Sequence, residues 1–380
     1  MSKKLTMMST GELMLTMKDD PAFYFDLVAP TLKTADLVIG HLETPHTRRP
    51  APSGEIMLPA PDPDNLRGLL AGNYSAVTLA GNPTFSYGEP GIVDTMDWLN
   101  EHQIGHVGAG LNIHEARRPL IMDRDGTKFG FLSYDMVGGR SNAATHFKAG
   151  AAYVDILTHY EPPRFPGSPP QIYTFAEPCS LEAMCEDIRA LREQCDVLSV
   201  ALHMGIGMVE TVLADYETQV SRAAIDAGAD IILGSHSHIL KGVQFYKGKA
   251  IFHCMGNLVT VFKWEEHNMF KVEPDTTLTK SRIRPRAGRS RSWMDLEYPN
   301  YPFPVQSRKA IIVKLTVEEG KISRISYLPV MINKQGQPEI LKNDERGQEV
   351  SDYLEKVTRD AGLNAEFEWD GDEVIVHDNK

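Results

Sequence analysis

Through its first 260 residues the chain alternates short apolar runs with segments whose apolar residues recur at helical spacing. Strand-like runs end at Leu15, Ile39, Leu79, Val107, Tyr134, Ala201 and Leu233. Helical segments fall around 63–71, 91–102, 181–194 and 214–227. Runs that are apolar throughout, rather than alternating, mark strands buried on both faces. Their interleaving with helices predicts βαβ units and a largely parallel sheet, an α/β fold. Residues 309–317 and 321–329 predict a hairpin around Glu318-Glu319-Gly320-Lys321, and 344–361 a polar amphipathic helix ahead of an acidic tail of ten residues. Residues 158–172 contain Pro162, Pro163, Pro166, Pro169 and Pro170 and predict a loop. No repeat or linker divides the chain. The expected organisation is one domain over 1–335, interrupted by an insertion at 264–308, with 336–380 packed on or trailing from it.

The polar residues at the ends of these runs carry the chemistry. Residues 230–240 read Asp-Ile-Ile-Leu-Gly-Ser-His-Ser-His-Ile-Leu, so His236 and His238 follow a buried strand directly. Glu12, Glu43, Asn82 and His203 stand in comparable places after other runs. In open α/β sheets ligands sit beyond the carboxyl ends of strands. Core packing gives no reason to put acids, an amide and imidazoles at successive strand ends, whereas a shared metal site does. Carboxylate and amide oxygens mixed with imidazoles suit Mn²⁺, Fe²⁺ or Zn²⁺ rather than Ca²⁺.

Composition narrows the partners. The formal charge of −12 excludes nucleic acid as a bulk partner. The first residues, Met-Ser-Lys-Lys-Leu-Thr-Met-Met-Ser-Thr, lack the apolar run of a signal peptide, and no stretch approaches a membrane span. A cytoplasmic location is expected, with no membrane partner; a homo-oligomer stays open. Cys179, Cys185, Cys195 and Cys254 have neither metal-binding nor disulfide spacing, and Cys195 and Cys254 read as small core residues. Within 264–308, Lys280, Arg282, Arg284, Arg286, Arg289 and Arg291 precede Trp293 and a Tyr-Pro-rich stretch. Two readings stay open there. One is a lid in which Arg282, Arg284 and Arg286 bind a small anionic substrate. The other is a solvated insertion that balances an acidic surface.

In order along the chain stand Gly11-Glu12-Leu13-Met14, Gly40-His41-Leu42-Glu43, Leu79-Ala80-Gly81-Asn82, Gly108-Ala109-Gly110, His203-Met204-Gly205, Gly234-Ser235-His236-Ser237-His238 and Met255-Gly256-Asn257-Leu258-Val259. This series resembles the motifs of the capsule-synthesis (poly-γ-glutamate, CapA-like) family, a branch of the calcineurin-like metallophosphoesterases. Glu-Ala-Arg-Arg-Pro at 115–119 and Tyr-Pro-Phe-Pro at 301–304 are similar to stretches common in it. The resemblance covers roughly residues 5–330. It implies a β-sandwich flanked by helices, a four-layer α/β/β/α arrangement, and one or two divalent ions. Carried over, Glu12 takes the place of a first-metal carboxylate and Glu43 of the bridging one. Asn82, His203 and His236 would serve the second metal, and His238 the first. Asn257 would be an amide supporting the ligands.

The chain departs from the family pattern at informative places. Glu12 stands for the usual Asp, and Met14 where a histidine is common, so the first-metal site is the weaker one and a single ion is an alternative. Pro83 follows Asn82 where relatives carry the histidine associated with leaving-group protonation. Such acid–base help is typically worth about 10²–10⁴-fold. His41, two residues before Glu43, and His253, in Ile-Phe-His-Cys-Met-Gly-Asn, are the candidates to replace it. The remaining histidines, His46, His106, His114, His146, His159 and His267, match nothing and are expected on the surface or in loops. The sequence therefore predicts a metal-dependent hydrolase using a metal-activated water, with an amide or related C–N bond favoured. A phosphoesterase with a substituted acid and a non-catalytic capsule- or polymer-binding protein are the alternatives.

Overall fold

A computed structural model of the protein describes residues 4–261 and 295–379, apart from 18, 52–58, 164, 170, 296 and 302. Two sheets face each other. The larger has ten strands, with Lys4–Leu15 near its middle. On one side of that strand Leu37–Leu42, Ala76–Thr78 and Gly105–Val107 follow in parallel. On the other it pairs antiparallel with Lys309–Glu318, whose hairpin partner is Lys321–Ile332. Asn257–Val261 adds a parallel partner to its end. The six-stranded sheet has a parallel core of Thr127–Asp135, Val197–His203, Ile231–Ser235 and Lys249–Met255.

The apolar positions sort into three clusters that define four layers. Leu5, Met7, Ile39 and Val313 from the first sheet meet Phe129, Phe131, Leu233 and Phe252 from the second, filling the space between them. Outside the first sheet, Val38 and Val77 pack against Leu69, Ile92 and Leu99 of helices Arg67–Ala71 and Gly88–Glu101. Outside the second, Leu198, Val200 and Ile232 pack against Ile188 and Val220 of helices Pro178–Arg192 and Asp215–Ala227. This is the α/β/β/α sandwich expected, and it explains why the parallel strands lack alternation: both faces are buried. Among the described residues no helix is long and apolar enough to cross a membrane.

Several expectations need correction. The strands outrun their apolar runs: Leu37–Leu42 includes His41 and Val197–His203 includes His203, because ladder bonding continues under residues whose side chains are polar but buried. The segment expected as a loop at 158–172 contributes to a hairpin, Ile156–Glu161 paired with Gln171–Ala176. Its prolines fall between the strands, where no ladder donor is needed. The acidic tail is also a strand: Glu373–Asp378 pairs with Ala365–Asp370 and, through Ser326 and Tyr327, joins the larger sheet. Val374 and Val376 are buried there, while Ile375 between them is partly exposed and the flanking Glu373 pairs with Lys314 and Arg324. His46, expected on the surface or in a loop, does lie in a loop but is fully buried there, with its Nε2 at 3.0 Å from the Leu15 carbonyl.

One glycine has a packing role that the site depends on. A Cβ on Gly11 would lie 1.9 Å from the Gly256 carbonyl oxygen, so the first strand can approach residues 256–257 only with glycine there. Gly11→Ala should lower stability by at least about 1–3 kcal/mol, seen as a lower denaturant midpoint with an unchanged slope. A midpoint equal to the wild type would show that this approach is not constrained.

Candidate metal centre at the strand ends

Because the strands of each parallel core run the same way, their carboxyl ends converge on one edge of the sandwich. Glu12 reaches that edge through an irregularity: Ser9 pairs with Ile39 but Glu12 with His41, three steps against two. One extra residue re-aims the side chain, a common use of bulges beside sites. Glu43 follows Leu42 directly, and Asn82 follows the strand Ala76–Thr78. His236 and His238 lie in the turn after Ile231–Ser235 with φ of 93° and 53°. Left-handed backbone at His236, outside the usual well for a side-chain-bearing residue, persists only where the surroundings over-determine it. Those surroundings are visible. The His236 N–H donates to Glu12 Oε1, and the Met208 N–H donates to the Ser237 carbonyl at 2.8 Å.

Glu12, Glu43 and His238 bring ligand atoms within 4.8 Å of one another. Glu12 Oε2 is in direct contact with His238 Nδ1, and His238 Nε2 lies 3.6 Å from Glu43 Oε1. Nearby, His203 Nε2 is 2.7 Å from Asn82 Oδ1, its ring centroid 4.7 Å from that of His41 and 4.9 Å from that of His236. Buried polar atoms normally have partners. Here Glu43 Oε2, His41 Nε2 and His236 Nδ1 are buried without a hydrogen bond. Three such atoms, all good ligands for a divalent ion and gathered at one edge beside the Glu12–His238 pair, fit a metal.

The electrostatics agree. Burial and the adjacent Glu12 carboxylate push Glu43 up to about 8, against the pull of His238. Burial disfavours charge on Glu12 too, but His238, with His41 and His236, outweighs it and holds that carboxyl at about 2. His238 goes the other way from its burial: Glu12 and Glu43 raise it to about 10. Burial keeps His41 and His236 neutral, each near 4, and holds His203 well below its ordinary value, where the neighbouring imidazoles add to the effect. Without metal the centre thus has one proton too many on Glu43 and one on His238.

The expected residues do not all meet. Glu12, Glu43, Asn82, His203, His236, His238 and His41 converge, and Asn257 Oδ1 lies 3.0 Å from His238 Nδ1. His253 does not join them. It is buried on the helix-facing side of Lys249–Met255, its Nδ1 3.8 Å from Glu217 Oε2, which also pairs with the buried Lys241. Burial, with Lys241 and Arg222, holds His253 down at about 3. Arg282, Arg284 and Arg286 lie outside the described residues. Supporting residues that the sequence did not flag are Thr78, 2.9 Å from His41 Nδ1, and Ser235, 2.9 Å from His203 Nδ1. Asp135 and Asn142 also belong here. The Asn142 Nδ2 donates to Asp135 Oδ2 at 2.7 Å and to the Gly81 carbonyl at 2.8 Å, fixing the turn that carries Asn82. Asp135 was findable, because it too follows an apolar run, ending at Tyr134.

Residues 6–261 match the family described as "Bacterial capsule synthesis protein PGA_cap". The chain belongs to this family. The PGA biosynthesis protein CapA of Bacillus subtilis (strain 168) is 27% identical over 244 residues, 63% of this chain and 57% of that protein. The capsule biosynthesis protein CapA of Bacillus anthracis is 25% identical over 275 residues, 69% and 61% respectively. The chain therefore spans about three fifths of the length of these family members. Solved structures that resemble it include a phosphatase from Mycoplasma pneumoniae, with a TM-score of 0.46 and 14% identity over 87% of this chain and 95% of the other. The calcineurin-like phosphoesterase YfkN from Bacillus subtilis has a TM-score of 0.37 and 14% identity over 95% and 98%.

Ligands must shed their protons to bind metal. Mn²⁺ or Zn²⁺ affinity should accordingly fall as pH drops through 8, by about tenfold per pH unit for each proton displaced, and binding should release protons. Calorimetry in buffers of different ionisation enthalpy reads both. Affinity that stays flat from pH 6 to 8 with no proton release would remove Glu43 and His238 from the ligand set.

Proposed function

We propose that the protein is a metal-dependent hydrolase acting on an amide or related C–N bond of a small anionic substrate. The observation that carries the metal reading is the pair of unpartnered buried ligand atoms, Glu43 Oε2 and His236 Nδ1, beside the Glu12–Glu43–His238 cluster. Glu12, Glu43 and His238 would hold one ion. Glu43, Asn82, His203 and His236 would hold a second. A divalent ion bound there supplies Lewis-acid polarisation of the electrophile and acidifies water near neutral pH.

The chain's own residues do the rest. Glu43 belongs to both sets, and an anion shared in this way would offset the repulsion of paired cations. Asn142 and Asp135 fix the turn bearing Asn82, and Ser235 orients His203. His41 is neutral, with Nδ1 at the Thr78 hydroxyl and Nε2 free. A hydroxyl both donates and accepts, so His41 can take or give a proton at Nε2 without losing that contact. This makes His41 the group for proton transfer to the leaving nitrogen. His253, walled off beside Glu217 and Lys241, has no such role.

The preference for a C–N bond rests on Pro83, which stands where the family's phosphoesterase-type histidine would be, and on relatives named for PGA and capsule biosynthesis. That preference, the ions and the substrate's anionic character are tested together by paired variants. His41→Ala should cut turnover of γ-glutamyl amides by about 10²-fold or more, with metal content read in parallel. His253→Gln should leave turnover and metal content within about twofold of wild type, the ordinary result for a residue outside the chemistry. Hydrolysis of generic phosphate esters in preference to amides by the metal-loaded wild type would replace the amide reading with the phosphoesterase one. A wild type that takes up no Mn²⁺, Fe²⁺ or Zn²⁺ would leave only a binding role.

A further inference from the structure

Tyr301 is buried, 1% exposed, and forms the far end of a directional hydrogen-bond chain to the candidate ligand His238. Its hydroxyl donates to the Ser307 carbonyl at 2.5 Å. A carbonyl can only accept, so the Tyr301 proton is committed to it. The Tyr301 oxygen is left as an acceptor, and Asn257 Nδ2 donates to it at 2.9 Å. With its NH₂ end turned to Tyr301, Asn257 must present its oxygen to His238, and Oδ1 stands 3.0 Å from Nδ1. An amide oxygen also only accepts. The Glu12 carboxylate in contact with the same nitrogen is a second acceptor. Nδ1 therefore carries the hydrogen, and Nε2, facing Glu43 at 3.6 Å, is the nitrogen that can give a lone pair. The Phe303 ring, 5.0 Å from His238 and 5.2 Å from Tyr301 between centroids, packs the imidazole in place.

We propose that Tyr301 is a positioning residue for metal binding: by fixing which way the Asn257 amide faces, it dictates that His238 binds a divalent ion through Nε2 with Nδ1 protonated. The proposal rests on the metal reading above and adds a residue and a direction to it. Outer partners of ligating histidines commonly set ring tautomer and basicity in this way.

The test is Zn²⁺ binding to the full chain, by calorimetry and by ¹⁵N resonances of the His238 ring in the Zn²⁺-loaded wild type. The expected spectrum has Nδ1 protonated and Nε2 ligated. Tyr301→Phe, which keeps the ring and removes only the hydroxyl, should weaken Zn²⁺ binding by about 10–100-fold. In an Asn257→Asp background, where both ends of the side chain accept and orientation no longer matters, the same change should cost less than about threefold. Zn²⁺ on Nδ1, an unchanged Kd for Tyr301→Phe, or an equal penalty in both backgrounds would overturn the relay while leaving the metal centre standing. A wild type that binds no Zn²⁺ would overturn both together.

Discussion

The contact between the Glu12 carboxylate and the turn at His236–His238 is the constraint on which the candidate centre depends, because it ties the two sheets together at the edge where the candidate ligands gather. Glu12 belongs to the larger sheet and the histidine turn to the smaller one. One carboxylate oxygen receives the His236 amide and the other meets the His238 ring. The bulge before Glu12, the glycine at 11 and the left-handed backbone at His236 are local costs that make sense only as ways of reaching this contact. Once Glu12 is fixed, His238 is drawn toward Glu43, and the fully buried Glu12 carboxylate becomes tolerable because an imidazolium meets it and Glu43 keeps its proton.

That arrangement balances charge but not hydrogen bonding. One carboxylate, one protonated carboxyl, one imidazolium and several neutral imidazoles leave buried lone pairs with no hydrogen to bind. Isolated ions or unpaired polar atoms in a low-dielectric interior are expensive. A fold that keeps several such atoms together, rather than replacing them with packed apolar groups, is holding a site at the expense of stability. The supporting contacts through Thr78, Ser235 and Asn257 have the same logic. Each occupies Nδ1 of a candidate ligand or of His41 and leaves Nε2 for the site.

The parallel strands and their covering helices were legible because continuous apolar runs and interleaved helices point to a parallel sheet buried on both faces, whereas the pairing of two sheets followed only from the family resemblance. Edge elements were harder. The prolines of 162–170 disguised a hairpin by lying in its connection, and the acids of 373–378 disguised a strand whose buried face is only Val374 and Val376. The candidate ligands were legible by position, as polar residues where apolar runs stop. The supporting shell was not. Thr78 and Ser235 are ordinary strand residues in sequence, and Tyr301 lies 44 positions from its partner Asn257.

His253 shows why strand parity fails as a guide in such a fold. On a half-exposed strand the solvent face is polar, so the side of any residue can be read from its neighbours. In Lys249–Met255 both faces are buried: Ala250 and Phe252 join the core between the sheets, and Ile251 joins the core under the helices. A histidine in that series carries no mark of which side it serves. It falls in phase with Ile251 and meets Glu217 and Lys241, a buried ion pair whose lysine also donates to the Val212 carbonyl in the loop after His203. His41 escapes the ambiguity for a geometric reason. Its neighbour in register is Glu12, so the bulge that aims the carboxylate at the edge of the sandwich sets the imidazole beside it.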